Sequence, residues 1–454
     1  MPKQIRLKQL ALLFGDILLL YLSLFFVLKI RYGEITEYIK RLHLGSFSVL
    51  FLIWLIVFYI IGIYEMRDLK NDGYFAKRFF LALFINFMLA VGYFYFIPGF
   101  AIPPDSKQEL YITPRTTLFI FFAIFASIAY VWRTLYNNLI HIQTPDKKIL
   151  LVGYNQTAQE LVDKINSHPQ LGHEIRFWMK DGMRDKEFSH LAQIILANKI
   201  NMIVIPAHIK KSSRAARLIY KNLSLGIEVA DLATVYESLF GKVPLAELEE
   251  VWFLENIAKS HKLYDAIRRP FEIVMASLLA LITLPLFLFI AFLIKTTSPG
   301  SAFFTQTRVG KYGSRFVLWK FRTMHKNAEE NGPQWSKPND SRITPVGKFL
   351  RRTHLDELPQ LINIIRGELS LIGPRPERPE FVATLEKEVP YYDLRHLTTP
   401  GITGWAQINY RYGSTIEDAY EKLEYDIYFL KNRSFWLDLV IFLKTVKRLF
   451  VPAE

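Results

Sequence analysis

No cysteine occurs anywhere in the 454 residues. Its absence excludes a disulfide framework, a thiolate zinc site and a cysteine nucleophile, and it suits a reducing compartment. Also missing is the three-glycine loop that lets a backbone close on a dinucleotide pyrophosphate. No recognition helix or aromatic RNA-binding signature is present, so nucleic acid is not expected as a partner. What the chain has in quantity is apolar surface and positive charge: 51% of it is hydrophobic, and 56 Lys and Arg face 42 Asp and Glu, a net +14. One soluble core does not explain that hydrophobic content, and the charge suits anionic partners such as lipid headgroups or phosphorylated small molecules.

Four apolar stretches fill the first third, at about Leu10 to Val27, Phe47 to Tyr64, Phe79 to Ile97 and Thr117 to Val131. Each approaches the length that crosses a ~30 Å hydrocarbon core as helix. The expectation is four transmembrane helices within residues 1–140, the first of them a retained span and not a removed signal peptide. Basic Lys3, Arg6 and Lys8, with the cation-poor loop "PGFAIPPDSKQELYITP", place the N-terminus on the cytosolic side.

The stretch "KKILLVGYNQTAQELVDKI" then reads as a buried strand, a glycine turn at Gly153 and an amphipathic helix, and "NMIVIPA" as a second buried strand. Residues 146–255 are therefore expected to form a Rossmann-like α/β module. Asn155 and Ala158 stand where the second and third fingerprint glycines would be, so its phosphate loop is degenerate.

A fifth apolar run, Phe271 to Ile294, is interrupted by Pro285. Proline removes a helical hydrogen bond and costs ~3 kcal/mol unless the helix bends. The two pieces, Phe271 to Leu284 and Leu286 to Ile294, are each too short to span. Cations flank both ends: Lys262, Arg268 and Arg269 before, Lys295, Arg308, Lys311 and Arg315 after. The expectation is a re-entrant hairpin over 268–295 that turns at Pro285, with Arg268 and Arg269 anchored at the headgroups and Glu272 at the same depth. Near the C-terminus, "SFWLDLVIFLKTVKRLF" is either an interfacial amphipathic helix or a core helix.

From Lys262 to Arg375 there are 17 Lys and Arg against 8 Asp and Glu. Near an anionic leaflet each such cation contributes about 1 kcal/mol, so attachment to lipid accounts for many of them. It does not account for the clusters in "WKFRTM" (Lys320, Arg322), "FLRRTHLDE" (Arg351, Arg352) and "GPRPE" (Arg375), because guanidinium forks suit phosphate oxygens. Between them lies the acidic pair Asp356 and Glu357. Read alone, "THLDELPQLINIIRG" is a helix opening: Asp356 caps, Pro359 sits in the first turn, and Leu358, Leu361, Ile362 and Ile365 form the apolar stripe. Read with the arginines, it is a pair that can divide labour, one carboxylate attacking phosphorus and the other holding Mg²⁺.

The ordered set "WKFRTM", "RRTHLDELPQLINIIRGELSLIGPRPE" and "TTPGITGWAQI", after a proline-interrupted apolar segment, resembles the monotopic phosphoglycosyl transferases of bacteria, also called bacterial sugar transferases. The resemblance covers 262–454 and extends to the whole chain for the long members that initiate exopolysaccharide or O-antigen synthesis. It implies a membrane protein of mixed α and α/β class: a four-helix transmembrane bundle, a Rossmann-like module and a monotopic catalytic domain. It further implies transfer of hexose-1-phosphate from a UDP-sugar to undecaprenyl (polyprenyl) phosphate at the cytosolic face of the bacterial inner membrane, with release of UMP and a habit of homodimerisation. By that resemblance Asp356 is the nucleophile and Glu357 the Mg²⁺ ligand. Lys320 and Arg351 join the catalytic group, and Arg322, Arg352, Gln360 and Arg375 are candidates for binding substrate phosphates. His354 departs from the family pattern, which usually has a small hydroxyl residue there. A membrane-anchored nucleotide-sugar dehydratase would need an intact glycine loop and a Tyr-x-x-x-Lys pair, and the sequence has neither. A non-catalytic membrane scaffold that binds sugar nucleotides is the alternative.

Overall fold

The computed structural model describes residues 3–65, 71–96, 114–142, 145, 147–180, 190–206, 209, 217, 220–221, 223–257, 261–325, 340–410, 413 and 415–450. The proline-rich loop used above for orientation lies almost entirely outside them. The chain divides into two compact units, Met1–Leu239 and Phe240–Glu454.

The first unit opens with four long helices, α1 (Lys3–Tyr32), α2 (Glu37–Ile61), α3 (Gly73–Phe96) and α4 (Pro114–Ile142). All four contain windows long and apolar enough to cross a membrane. Each turns one stripe inward, so that Leu20, Phe47, Trp54, Phe79, Phe121 and Phe125 share one core, while Phe14, Phe25, Leu52, Phe84 and Phe119 stay exposed. A helix apolar on every side is what lipid requires. One buried ion pair crosses this core: Arg133 donates to Asp16, which also accepts from the Tyr64 hydroxyl at 2.6 Å, and a second Arg133 nitrogen donates to the Ile63 carbonyl at 3.1 Å. Charges at such depth persist only when paired.

The α/β module follows: β1 (Lys147–Val152), α5 (Gln156–Ser167), β2 (His173–Met179), α6 (Leu191–Ala197), β3 (Met202–Ile205), β4 (Glu228–Asp231) and α7 (Leu232–Phe240). Its four strands are all parallel, in the order β2-β1-β3-β4. Ile149 through Val152 are all buried, as a parallel strand covered on both faces requires. Gly153 ends β1 at φ +83°, and Pro206 and Ile209 press so closely on it that an added Cβ would lie 2.8 Å from Ile209 Cδ1. Asn155 caps α5, accepting from the Ala158 amide at 2.7 Å.

The second unit begins earlier than the motif reading places it. Val243, Leu245 and Phe253, assigned from sequence to the end of the α/β module, pack with Val309, Val382, Leu423 and Ile427 in the core of the second unit. The segment contains α8 (Glu250–Asn256) and leads to α9 (Lys262–Thr297). After it come the hairpin β5 (Phe303–Val309) and β6 (Arg315–Phe321), then α10 (Pro345–Thr353), α11 (Gln360–Arg366), β7 (Ser370–Ile372) and α12 (Pro379–Glu388). The unit closes with β8 (Gly401–Thr403), parallel to β7, then α13 (Trp405–Asn409), α14 (Ile416–Asn432) and α15 (Phe435–Phe450).

Two sequence expectations need correcting here. The run expected to form two helical pieces around Pro285 is one 36-residue helix, α9, with Pro270 and Pro285 inside it. Proline withholds one donor, which frees only the Leu281 carbonyl, and the neighbouring turns suffice to carry the helix through. The arginine expected to anchor at headgroups, Arg268, is buried. It bonds Glu272 at 3.0 Å, the Ser370 hydroxyl and the Ile372 carbonyl. Arg269 is half-buried and donates to the Ile365 carbonyl at 3.2 Å. Phe271, Val274, Leu278, Leu281, Ile282, Phe289 and Phe292 of α9 are exposed, as are Phe435, Trp436, Leu439 and Phe442 of α15. On α9, which is long and apolar enough to cross a membrane, a surface of that extent suits lipid. The core face of α15 is instead Leu437 and Ile441, packed on Ile372 and Phe429.

Candidate active site

Three structural elements converge on the acidic pair. β6 delivers Lys320 from the strand edge, α10 delivers Arg351, and the turn after β7 delivers Arg375. α10 starts cleanly because Thr344 caps it, accepting from the Gly347 amide at 2.9 Å, and Pro345 fills its first turn. It ends at His354, whose φ of +55° is left-handed and swings the chain out of the helix. The acidic pair follows in a single tight turn, Leu355–Glu357. Neither carboxylate caps α11, contrary to the helix-opening reading; Pro359 occupies that position with no side-chain cap. Of the expected stripe Leu358 and Leu361 face the core, joined there by Ile364, while Ile362 and Ile365 are exposed.

Glu357 Oε1 accepts from Lys320 Nζ at 2.9 Å and from Arg375 Nη2 at 3.1 Å. Burial alone would raise this carboxyl, but the two cations together outweigh it and hold it at about 2. Asp356 is 8% exposed. Burial, reinforced by the neighbouring Glu357 charge, pushes its carboxyl above the ordinary aspartate range against the pull of Lys320 and Arg351. Lys320 is shifted down by burial, and Arg375 adds to that, while Glu357 and Asp356 pull the other way. Two adjacent carboxylates are thus held in different electrostatic states. One is locked as an anion by salt bridges, and the other is less strongly compensated and available for chemistry.

Arg351 reaches the site through Thr323, donating from Nε to its hydroxyl at 2.8 Å. Gln360 is buried at the first residue of α11. One expected phosphate ligand is engaged elsewhere. Both terminal nitrogens of Arg322 are occupied by the Ser298 and Pro299 carbonyls at 2.8 and 3.0 Å, so it closes the C-terminal end of α9. Arg352, beside Arg351 in the last turn of α10, is exposed. The sequence reading missed Thr323, Arg308 and Arg395. Arg308 donates to the Pro376 carbonyl at 3.0 Å, and burial pushes its guanidinium down to about 10. Thr323 lies inside the WKFRTM motif and Arg395 three residues before TTPGITGWAQI, whereas Arg308 was read only as one of the cations flanking the apolar run.

A metal would find two carboxylates here, and among the described residues no three acidic or histidine side chains converge. That donor set fits Mg²⁺, which binds through one or two carboxylates and takes its remaining ligands from water and substrate phosphates. It does not fit a closed all-protein metal cage.

The family described as "Bacterial sugar transferase" matches residues 263–452. The UDP-N-acetylgalactosamine-undecaprenyl-phosphate N-acetylgalactosaminephosphotransferase of Aeromonas hydrophila is 41% identical across 49% of this chain, a match spanning about half (52%) of that protein. UDP-glucose:undecaprenyl-phosphate glucose-1-phosphate transferases are similar over more of their length. The Escherichia coli (strain K12) protein is 32% identical over 67% of this chain and 68% of its own, and the Klebsiella pneumoniae protein 30% over 96% and 94%. With four apolar helices, a parallel α/β module and a carboxylate pair set among cations, the chain is a membrane protein that belongs to the bacterial sugar transferase family, in its long polyprenyl-phosphate hexose-1-phosphate transferase form.

Proposed function

We propose that this protein transfers hexose-1-phosphate from a UDP-sugar to undecaprenyl phosphate through a covalent intermediate on Asp356. The relatives' names support the general reaction, and the observation that carries the intermediate is the contrast between Asp356 and Glu357. In the first step an Asp356 carboxylate oxygen bonds to the sugar-bearing phosphorus, the bond to the bridging diphosphate oxygen breaks, and UMP leaves. In the second, an oxygen of the lipid phosphate bonds to the same phosphorus and the aspartyl bond breaks, which restores the carboxylate and leaves a polyprenyl diphosphate sugar. One diphosphate linkage replaces another, so the net change is close to thermoneutral.

Lys320, Arg351 and Arg375 offset the repulsion between an anionic nucleophile and an anionic donor. Glu357 would hold Mg²⁺, which supplies charge neutralisation at the diphosphate when bound. Membrane geometry belongs to the same reading. Ala276 packs on Leu318, Leu361 and Ile364, while Ile290 and Ile294 pack on Phe321 and Leu350. A straight helix would set residues 276 and 290 about 21 Å apart, whereas Leu318 and Phe321 are about 10 Å apart along β6. The soluble domain thus accompanies α9 on both sides of Pro285, which supports a helix that enters the cytosolic leaflet and returns. That keeps the site where a water-soluble donor and a lipid acceptor can both reach it, in the first membrane step of exopolysaccharide, capsule or O-antigen synthesis. The homodimer rests on the family resemblance alone.

Incubation with donor labelled in the sugar phosphate, without lipid, should leave label on the peptide containing Asp356, and Asp356→Asn should abolish both label and UMP release while the protein still inserts. Unimpaired turnover of Asp356→Asn would leave the covalent reading without its nucleophile. EDTA should stop turnover and Mg²⁺ restore it.

A further inference from the structure

The segment carrying Arg375 runs Gly373, Pro374, Arg375, Pro376, and two of its four residues have no backbone N–H to give. Besides the Gly373 amide, which donates to the Thr403 carbonyl at 2.8 Å, it is held by the carbonyls in and beside it. The Ile372 carbonyl accepts from Arg268, Pro374 from the Gly401 amide at 2.9 Å, Pro376 from Arg308 at 3.0 Å, and Glu377 from the Val309 amide at 3.0 Å. The carbonyl of Arg375 itself accepts from Arg395 Nη2 at 3.0 Å.

Arg395 is the most completely held of these donors. It is 7% exposed, and its Nε and Nη2 reach Asp426 Oδ2 at 3.2 and 3.0 Å, while Nη1 donates to the Tyr392 hydroxyl at 2.6 Å. Asp426 is 1% exposed. A buried pair of this kind is often replaceable by apolar side chains without loss of stability, so stability alone does not account for it. What an apolar replacement could not do is direct a rigid fork at one particular carbonyl.

We propose that Arg395, oriented by Asp426 and Tyr392, is a positioning residue that fixes the Arg375 backbone so that the Arg375 side chain is aimed at Glu357 and the donor diphosphate. This rests on the reading of Arg375 as a phosphate-binding residue. Arg395 touches neither carboxylate of the acidic pair; it acts through Arg375.

The test is a double-mutant cycle on UMP release by the full-length protein in nanodiscs. Arg395→Lys keeps a cation against Asp426 but cannot span Asp426, Tyr392 and the Arg375 carbonyl together. It should lower kcat by about 10- to 100-fold, the scale of a misplacement near 1 Å. With Arg375→Ala already present, the same change should cost less than about 2-fold more. Losses that multiply in the double variant, or a kcat unmoved by Arg395→Lys, overturn the proposal. Normal turnover by Arg375→Ala alone would instead sink the phosphate-binding reading, and the proposal with it. Should Arg395→Lys fail to accumulate, the paired replacement Arg395→Met with Asp426→Leu strands neither charge and is read in the same cycle. A merely structural role would reduce activity equally in both Arg375 backgrounds.

Discussion

Replacing Lys320 by methionine removes the cation that Glu357 and Asp356 share, and its consequences can be worked out separately for each carboxylate. Glu357 sits at about 2 against an ordinary 4.5, a displacement worth about 3 kcal/mol at ~1.4 kcal/mol per pH unit, divided between Lys320 and Arg375. Because that pKa is depressed, the stabilisation is fully present above about 4.5 and is lost as pH falls toward 2. Lys320→Met should therefore cost about 1–2 kcal/mol of stability at neutral pH and shrink the acid-induced loss. Asp356 responds in the other direction. Its pKa is already raised by burial and Lys320 is the strongest influence holding it down, so removing Lys320 should raise it further. The activity of the native protein should fall on the acid side as Asp356 protonates and on the alkaline side as Lys320 loses its proton, below the ordinary lysine value. In Lys320→Met the acid limb should move to higher pH and the alkaline limb disappear, with kcat down about 10²- to 10³-fold, the usual cost of one preorganised electrostatic partner. UMP release is measured across the whole pH range in which the protein stays folded, so that both limbs are followed. An alkaline limb that survives the substitution, or an acid limb that moves down, would refute this account of the charge cluster.

Three further outcomes are expected. Gly347→Ala places a Cβ 2.0 Å from the Thr323 carbonyl oxygen, forcing α10 away from the residue that holds Arg351; thermal unfolding should show a loss of about 1–3 kcal/mol and UMP release should fall with it. His354→Gly relieves a left-handed φ of +55° and should stabilise the protein by about 1 kcal/mol in the same unfolding measurement, with turnover retained. Because the chain has no cysteine, single Leu263→Cys and Ser301→Cys variants can be labelled without background; a membrane-impermeant thiol reagent should reach both from the same side, and labelling from opposite sides would show that α9 crosses.

Much of the fold was legible because two strong physical signals are written locally. Apolar runs near 20 residues mark α1 to α4 regardless of what packs on them, and a continuous buried run such as Ile149 to Val152 marks a parallel strand. The errors occur where a local rule met tertiary context. Proline at 285 reads as a break because helix propensity penalises it, yet Ile290 and Ile294 are buried against β6 and α10 and hold the helical course beyond it. Asp356 reads as a cap because aspartate before an apolar stripe usually is one. Left-handed His354, which nothing in residue type announces, closes α10 and inserts a separate turn, so the carboxylate leaves the helix end for the cation cluster.

The site shows the same division more sharply. Charged residues crowded into short motifs identified the cluster, but charge pattern cannot say which arginine touches the ligand and which touches protein. Arg322 and Arg375 look equivalent in sequence, each beside a turn and each within a basic stretch. The carbonyls of Ser298 and Pro299 at the end of α9 claim the first, leaving the second to meet Glu357 at 3.1 Å. The deciding factor is where backbone acceptors lack donors of their own. A helix end always exposes such carbonyls, and a Pro-x-Pro turn, unable to donate at its prolines, depends on donors supplied from outside. Arginines near either feature are therefore divided between structure and chemistry by an accounting of acceptors, which becomes possible only once helix ends and turns are placed in space.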